Sequence, residues 1–88
     1  MKTRINSNAA WRVASDLIER LRPYAERIEV AGSLRRRRNY VHDIDLVAIP
    51  KELTPFLEAA RGLITGGDGA SKRITGTYRE TPVDLYIA

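Results

Sequence analysis

The sequence predicts a two-layer α+β domain in which helices cover one face of a small mixed β-sheet. Three observations lead to this prediction: two segments with helical periodicity, a dense apolar segment that a proline ends, and alternating apolar and polar residues near the C-terminus. The chain has 88 residues, which suits one domain, and we expect residues 1–88 to form a single minimal unit.

The first half of the chain predicts a helix followed by a short strand. Apolar residues over 7–22 recur at the spacing of one helical stripe, and Pro23 follows directly. Residues 28–31 have the composition of a strand, which Gly32 interrupts. The basic stretch over 34–40 is compatible with a helical turn or a loop.

The second half predicts a central strand, a helix and a hairpin. Residues 41–50 form the clearest strand, because their apolar density suits a strand covered on at least part of both faces. Thr54 is expected to cap a helix whose first residue is Pro55. Two further strands, over 72–78 and 83–87, are expected to form a hairpin.

The composition is basic and free of cysteine. The net charge is +4 and the isoelectric point about 9.9, and twelve of the fifteen cationic residues are arginine, whose guanidinium forks bind phosphate well. This balance favours an anionic partner such as nucleic acid or a nucleotide, although ordinary surface charge explains it equally well. Without cysteine there is neither a disulfide nor a thiolate metal site. The chain has neither a membrane-length apolar run nor a secretory signal, so we expect a cytoplasmic location without membrane contact.

Three aspartates are the candidate catalytic and metal-binding residues. Asp43 and Asp45 are two apart in a predicted strand and should face the same side, while their apolar neighbours face the core. Asp84 alternates with apolar residues on a strand that could pair beside them. Clustered carboxylates repel one another unless a cation lies between them, and oxygen ligands of this kind suit Mg²⁺. Taken singly, each aspartate is more typical of a solvated strand face, so the prediction depends on their combination.

A glycine-serine element directly follows the first predicted strand. Gly32 lets the backbone turn and approach a ligand closely, and the residues after it can open a helix whose N–H groups face phosphate oxygens. The Ser33 hydroxyl and one or two guanidiniums would complete an anion-binding cradle. A plain strand-to-helix turn followed by a solvated run of charges is the alternative interpretation.

Together these motifs resemble those of the family X DNA polymerases and, more broadly, the DNA polymerase beta-like nucleotidyltransferase superfamily. The resemblance rests on Gly32-Ser33-Leu34-Arg35-Arg36, Asp43-Ile44-Asp45 and Val83-Asp84-Leu85. It extends over residues 12–88 and concerns the palm subdomain only, so it implies a palm-like fold. The chain departs from the family pattern at Arg37, where a glycine is usual, and at His42, where glycine or serine is common.

The resemblance also implies roles for individual residues. Asp43 and Asp45 would bind two Mg²⁺ ions, for which Mn²⁺ can substitute. Asp84 would bind the catalytic ion and help to activate the attacking hydroxyl. The residues implied to bind the nucleotide are Gly32, Ser33 and Arg36. The residues that could also contact nucleic acid are Arg35, Arg37 and Arg38.

The expected function is Mg²⁺-dependent transfer of a nucleoside monophosphate from a ribo- or deoxyribonucleoside triphosphate to a hydroxyl acceptor, with the 3′-hydroxyl of DNA as one candidate. The chain ends four residues after Asp84, before any thumb segment. The alternative is a nucleotide- or nucleic-acid-binding module that lacks useful turnover alone and needs a partner chain, a second copy of itself or a thumb segment. A third hypothesis is a domain that binds DNA or RNA through its arginine run without metal.

Overall fold

The computed structural model describes residues 4–36, 38–67 and 72–88. The helices and strands follow the order β1 (Ile5–Asn6), α1 (Ser7–Leu21), β2 (Ala25–Ala31), α2 (Gly32–Arg35), β3 (Tyr40–Val41), β4 (Ile44–Pro50), α3 (Leu53–Leu63), β5 (Arg73–Tyr78) and β6 (Thr81–Ile87). A short 3₁₀ helix at Arg22–Tyr24 joins α1 to β2. Within the described ranges, no helix is long and apolar enough to cross a bilayer.

Helix α1 forms because its apolar residues fall on one stripe and its first turn is capped. The Asn6 side chain accepts a hydrogen bond from the Asn8 N–H at 2.9 Å, which satisfies one of the free donors of the first turn. Pro23, which has no N–H to donate, follows the last turn. The residues that α1 buries are Ala10, Ala14, Leu17 and Leu21. The helix therefore begins where the sequence predicts and ends one residue earlier.

The main sheet has the strand order β2-β4-β6-β5. Strands β4 and β6 are parallel, whereas β2 with β4 and β5 with β6 are antiparallel, which confirms the predicted mixed sheet. Between β4 and the parallel strand β6 the chain passes through α3 and β5, which together form the long connection that a parallel pair requires. In this register Asp45 lies directly beside Asp84. On its other side Asp45 pairs with Ala31 of β2, and Asp84 pairs with Thr75 of β5.

One face of this sheet is covered and the other is open. Ile44, Leu46 and Leu85 alternate along the central strands, are fully buried, and form one cluster with Leu17 of α1 and Phe56 of α3. Burial of each such side chain contributes about 1.5–3 kcal/mol. The helices thus lie on one face, as predicted, and every second residue of the strands points to the open face.

The structure differs from the sequence-based expectation around the predicted central strand. The range 41–50 contains the end of β3 and all of β4, separated by a bend at His42 and Asp43. Strand β3 pairs with β1 in a second sheet of two short antiparallel strands. A pairing of two residues is too short to produce a periodic signal in a sequence, so this second sheet was not predicted.

Element boundaries differ as well. Strand β2 begins at Ala25, three residues earlier than expected, because the exposed charged residues near its start obscure the strand pattern. Helix α3 begins at Leu53, two residues earlier than expected, and its N-cap is Glu52 in place of Thr54. The hairpin turn consists of Arg79 and Glu80, with φ values of 50° and 64°, so β6 begins already at Thr81. Positive φ at both positions is typical of a two-residue turn that matches the twist of its strands.

A polar contact joins α1 to the β5–β6 hairpin. Tyr78 is 7% exposed, and its hydroxyl donates a hydrogen bond to the Asp16 carboxylate. The guanidiniums of Arg20 and Arg79 approach the same carboxylate at 3.2 and 3.3 Å. The Tyr78 hydrogen bond is the main reason that the pKa of Asp16 lies below its ordinary value of 3.8. Burial, assisted by this contact, raises the pKa of Tyr78.

This contact makes part of the stability dependent on pH. A carboxylate whose pKa is lowered by folding stabilises the fold above its unfolded pKa, and that contribution is lost as the pH falls through the lowered value. We therefore expect Tyr78→Phe to lower the urea midpoint at about pH 7 and to reduce the further loss on acidification to about pH 3. Urea unfolding of both proteins, followed by circular dichroism, measures this. An equal acid-induced loss in the two proteins would contradict it.

Candidate active site

The three predicted aspartates lie together at the open face of the main sheet. Asp45 of β4 and Asp84 of β6 are register partners, and Asp43 lies in the bend directly before β4. One carboxylate oxygen from each lies within 4.8 Å of the others, and all three residues are half-buried. We call Asp43, Asp45 and Asp84 the carboxylate triad.

The alternation of the two central strands explains why Asp45 and Asp84 face outward. In β4, Ile44 and Leu46 are fully buried, so Asp45 between them points to the opposite face. In β6, the buried residues Val83 and Leu85 orient Asp84 in the same way. Because β4 and β6 are parallel and adjacent, the two carboxylates emerge side by side.

The turn after β2 lies directly against the triad. Gly32 has a φ of +66°, which L-residues with a side chain rarely adopt. A Cβ atom at this position would lie 2.1 Å from Oδ2 of Asp45, so the carboxylate occupies the space that a side chain would need. Leu34 of α2 is 1% exposed and fixes this turn to the core. Glycine is therefore required both by the backbone conformation and by the aspartate beside it.

An open depression gives access to the triad. It has a volume of about 340 Å³ and is lined by Asp43, Asp84, Arg73, Thr75, Gly76, Pro82 and Val83. This volume is at the lower end of the range of small-molecule sites. Two of the three carboxylates can thus be reached by a ligand from the side of the β5–β6 hairpin.

A guanidinium from β5 compensates part of the negative charge of the triad. Nη2 of Arg73 lies 3.3 Å from Oδ1 of Asp84, and the guanidinium carbon lies 5.2 Å from the centroid of the Tyr86 ring. The Arg73 side chain is 53% exposed, so this ion pair contributes at most about 1 kcal/mol. A divalent cation at the triad would compete with Arg73 for Asp84.

The predicted phosphate- and nucleic-acid-binding residues do not all lie at the triad. Arg35 ends α2 and Arg36 follows it; both are exposed, and the Arg36 N–H donates to the Gly32 carbonyl at 3.2 Å. Arg38 lines a different cleft, near the start of α1. Two predictions fall outside the described residues: those for the Ser33 side chain and for Arg37. Gly32 is the cradle residue that the structure brings into contact with the triad.

Sequence reasoning missed Arg73 and Thr75 as neighbours of the triad. Thr75 is the register partner of Asp84 on β5, and Arg73 is two residues before it. A signal for both existed in the hairpin. Once the turn is placed at Arg79 and Glu80, counting back from it sets Thr75 opposite Asp84.

Comparisons with known proteins do not assign the chain to a family. No protein-family profile matches it, and no curated protein is significantly similar to it. The resemblance to family X polymerases therefore stays a prediction based on sequence motifs. The function has to be argued from the triad, the glycine turn and the depression beside them.

The contact between Gly32 and Asp45 predicts a position-specific cost of adding a methyl group. We expect Gly32→Ala to destabilise the protein by about 1–2 kcal/mol, because alanine is strained at this φ and its methyl group displaces the carboxylate. Gly62→Ala in α3 is the matched control. An added Cβ there meets nothing within 4 Å, so we expect no loss and a gain of up to about 1 kcal/mol. Free energies of unfolding measure both, and a Gly32→Ala protein as stable as the parent would contradict the account.

Proposed function

We propose that this chain is an Mg²⁺-dependent nucleotidyltransferase, which transfers a nucleoside monophosphate from a nucleoside triphosphate to a hydroxyl acceptor. The proposal rests on the clustering of Asp43, Asp45 and Asp84, with carboxylate oxygens within 4.8 Å of one another, against the Gly32 turn. A purely structural domain has no need for three adjacent carboxylates, because their mutual repulsion is destabilising. A cytoplasmic location belongs to the same proposal, since nucleoside triphosphates are available there.

The triad would hold two divalent cations, with Mg²⁺ as the resident ion and Mn²⁺ as a substitute. Carboxylate oxygens are the ligands that both ions prefer. Opposite oxygen ligands of one Mg²⁺ are about 4.2 Å apart, twice the usual metal–oxygen distance. Donor oxygens within 4.8 Å of one another therefore fit a shared ion with small side-chain rotations. Bound there, the metal would lower the pKa of the acceptor hydroxyl and neutralise phosphate charge.

The residues that the sequence motifs single out have complementary roles in this proposal. Arg36, the Ser33 hydroxyl and the backbone at Gly32 bind the β- and γ-phosphates. Asp84 accepts the proton of the acceptor hydroxyl, whose oxygen forms a bond to the α-phosphorus. The bond from the α-phosphorus to the oxygen bridging the β-phosphate breaks, and pyrophosphate leaves with that electron pair. Positioning and charge neutralisation supply most of the catalysis.

The second candidate function is a binding module that needs a partner for turnover. One observation favours it: the open face of the sheet exposes Val47, Ile49 and Tyr86 by 37%, 39% and 39%. These apolar side chains lie on the same face as the triad and could be covered by a partner chain, a second copy or a thumb segment. Light scattering after size exclusion discriminates the candidates, because a strict monomer that turns over nucleotide alone excludes this alternative.

Replacement of one triad carboxylate tests the proposed function. We expect Asp43→Asn to lower nucleotide transfer to an oligonucleotide primer by about a hundredfold or more, because the amide cannot supply the charge that the cations require. The matched control is Glu58→Gln, a carboxylate-to-amide change at an exposed position of α3. The measurement is primer extension with Mg²⁺ and labelled triphosphate.

Binding provides a second readout for the same variants. Nuclear magnetic resonance shifts on addition of Mg²⁺ and a triphosphate should cluster at Gly32, Arg36, Asp45 and Asp84 in the parent and in Glu58→Gln. Transfer or metal-dependent shifts that persist in Asp43→Asn would exclude the proposed role of the triad. Shifts without transfer in the parent would support the binding-module alternative.

Removal of Arg73 should strengthen metal binding. The guanidinium competes for Asp84, and an exposed pair of about 1 kcal/mol corresponds to about a fivefold change in affinity. We expect Arg73→Gln to raise the Mn²⁺ affinity by up to about this factor at low salt. Arg27→Gln on β2 removes the same charge from the sheet away from the triad and serves as the control. Calorimetric titration with Mn²⁺ measures the effect; equal affinities in the two variants would exclude competition by Arg73.

A further inference from the structure

A second cleft lies near the start of α1, apart from the depression at the triad. It has a volume of about 620 Å³, and its walls are the first turn of α1 and the segment from Arg38 to Tyr40. The cleft shares no lining residue with the depression at the triad. None of its described lining residues is acidic.

Two exposed aromatic rings face this cleft. Trp11 of α1 is 40% exposed and Tyr40 of β3 is 52% exposed, and both line it. Neither ring belongs to the hydrophobic core, since the buried stripe of α1 runs through Ala10 and Ala14 on another side of the helix. Exposed aromatic rings of this kind provide surfaces on which nucleobases stack, whatever the base.

The charges at the cleft suit a phosphate backbone. The guanidinium carbon of Arg4 lies 4.9 Å from the centroid of the Tyr40 ring, and Arg38 lines the opening. Guanidiniums beside stacking surfaces are the combination that single-stranded nucleic acid requires, because each nucleotide carries a base and a phosphate.

The cleft is held in shape by contacts between its two walls. The Ser7 N–H donates to the Asn39 carbonyl at 3.0 Å, and the Ser7 hydroxyl donates to the Arg38 carbonyl. The β1–β3 pairing adds Asn6 opposite Tyr40. A ligand therefore meets a preformed surface and does not have to order it, which favours affinity.

We propose that this cleft binds a single-stranded nucleic acid, with bases stacked on Trp11 and Tyr40 and phosphates contacted by Arg4 and Arg38. Tyr40 precedes Asp43 by three residues, so their Cα atoms are at most about 11 Å apart. The wall of the cleft at Tyr40 therefore leads within three residues to the bend that carries Asp43. On the basis of the proposed function, the acceptor is the end of a strand bound in this cleft and not a protein or a small molecule.

The position of Trp11 provides a direct test, because it is the one tryptophan of the sequence. The probe is a ten-residue oligodeoxythymidine, titrated into the protein at low salt with EDTA present. Stacking predicts quenching of tryptophan fluorescence on binding. We expect Tyr40→Ala to weaken this binding by about fivefold or more. Tyr24→Ala is the matched control, since Tyr24 is also an exposed tyrosine but lies in the 3₁₀ helix that follows α1 and does not line the cleft.

Arg38→Gln gives a second test that leaves both rings in place. We expect the slope of log affinity against log salt to become shallower by about 0.7, as loss of one phosphate contact to a single strand requires. Binding without a fluorescence change, equal weakening by Tyr40→Ala and Tyr24→Ala, or equal affinity for thymidine monophosphate and the oligonucleotide would each overturn the proposal.

Failure of this inference and failure of the proposed function are distinguishable. The titration contains EDTA and no triphosphate, so its result does not depend on metal at the triad. Quenching by the oligonucleotide, in a parent protein that shows neither primer extension nor metal-dependent shifts at the triad, would leave the cleft as a nucleic-acid site and exclude the transferase. Primer extension without quenching would keep the transferase and exclude the cleft as the acceptor site.

Discussion

The parallel pairing of β4 with β6 is the constraint on which the candidate site depends. It sets Asp45 beside Asp84, while the buried residues on either side of each aspartate keep both carboxylates on the open face of the sheet. The hydrophobic core and the site therefore lie on opposite faces of the same two strands. A shift of one residue in this register would send one carboxylate into the core, where an unpaired charge is very costly. Stability of the core thus maintains the geometry of the triad.

The other features of the site accommodate the three negatively charged carboxylates of the triad. Arg73 pairs with Asp84 from the neighbouring strand, and the Gly32 turn leaves room for the Asp45 carboxylate where any side chain would collide with it. Because the Arg73 pair is exposed and weak, it can be exchanged for a divalent cation at small cost. The arrangement therefore tolerates the charged triad without neutralising it permanently, as the proposed binding of exchangeable metal–nucleotide complexes would require.

The aspartates of this site can be predicted from the sequence more readily than the residues that surround them. Alternation within a strand depends only on local residues, so the outward orientation of Asp45 and Asp84 could be derived from the sequence alone. Asp43 lies in the bend before β4, so its position beside them depends on the fold. The pairing of Arg73 with Asp84 depends on which strands are adjacent and in which register, and that follows from the whole fold. The aromatic cleft was missed for the same reason: Trp11 and Tyr40 are far apart in sequence, and the two-residue β1–β3 pairing that joins their segments leaves no periodic pattern.

The most direct test of the central claim is to locate Mn²⁺ by anomalous X-ray scattering in crystals grown with a non-hydrolysable nucleoside triphosphate. The account predicts anomalous peaks between the carboxylates of Asp43, Asp45 and Asp84, with two ions about 3.5–4 Å apart and the triphosphate extending toward Arg36. Ordered triphosphate at another surface, or a triad that binds no Mn²⁺ at saturating concentration, would contradict the account. In that case the three carboxylates would be a solvated strand face, compensated by Arg73.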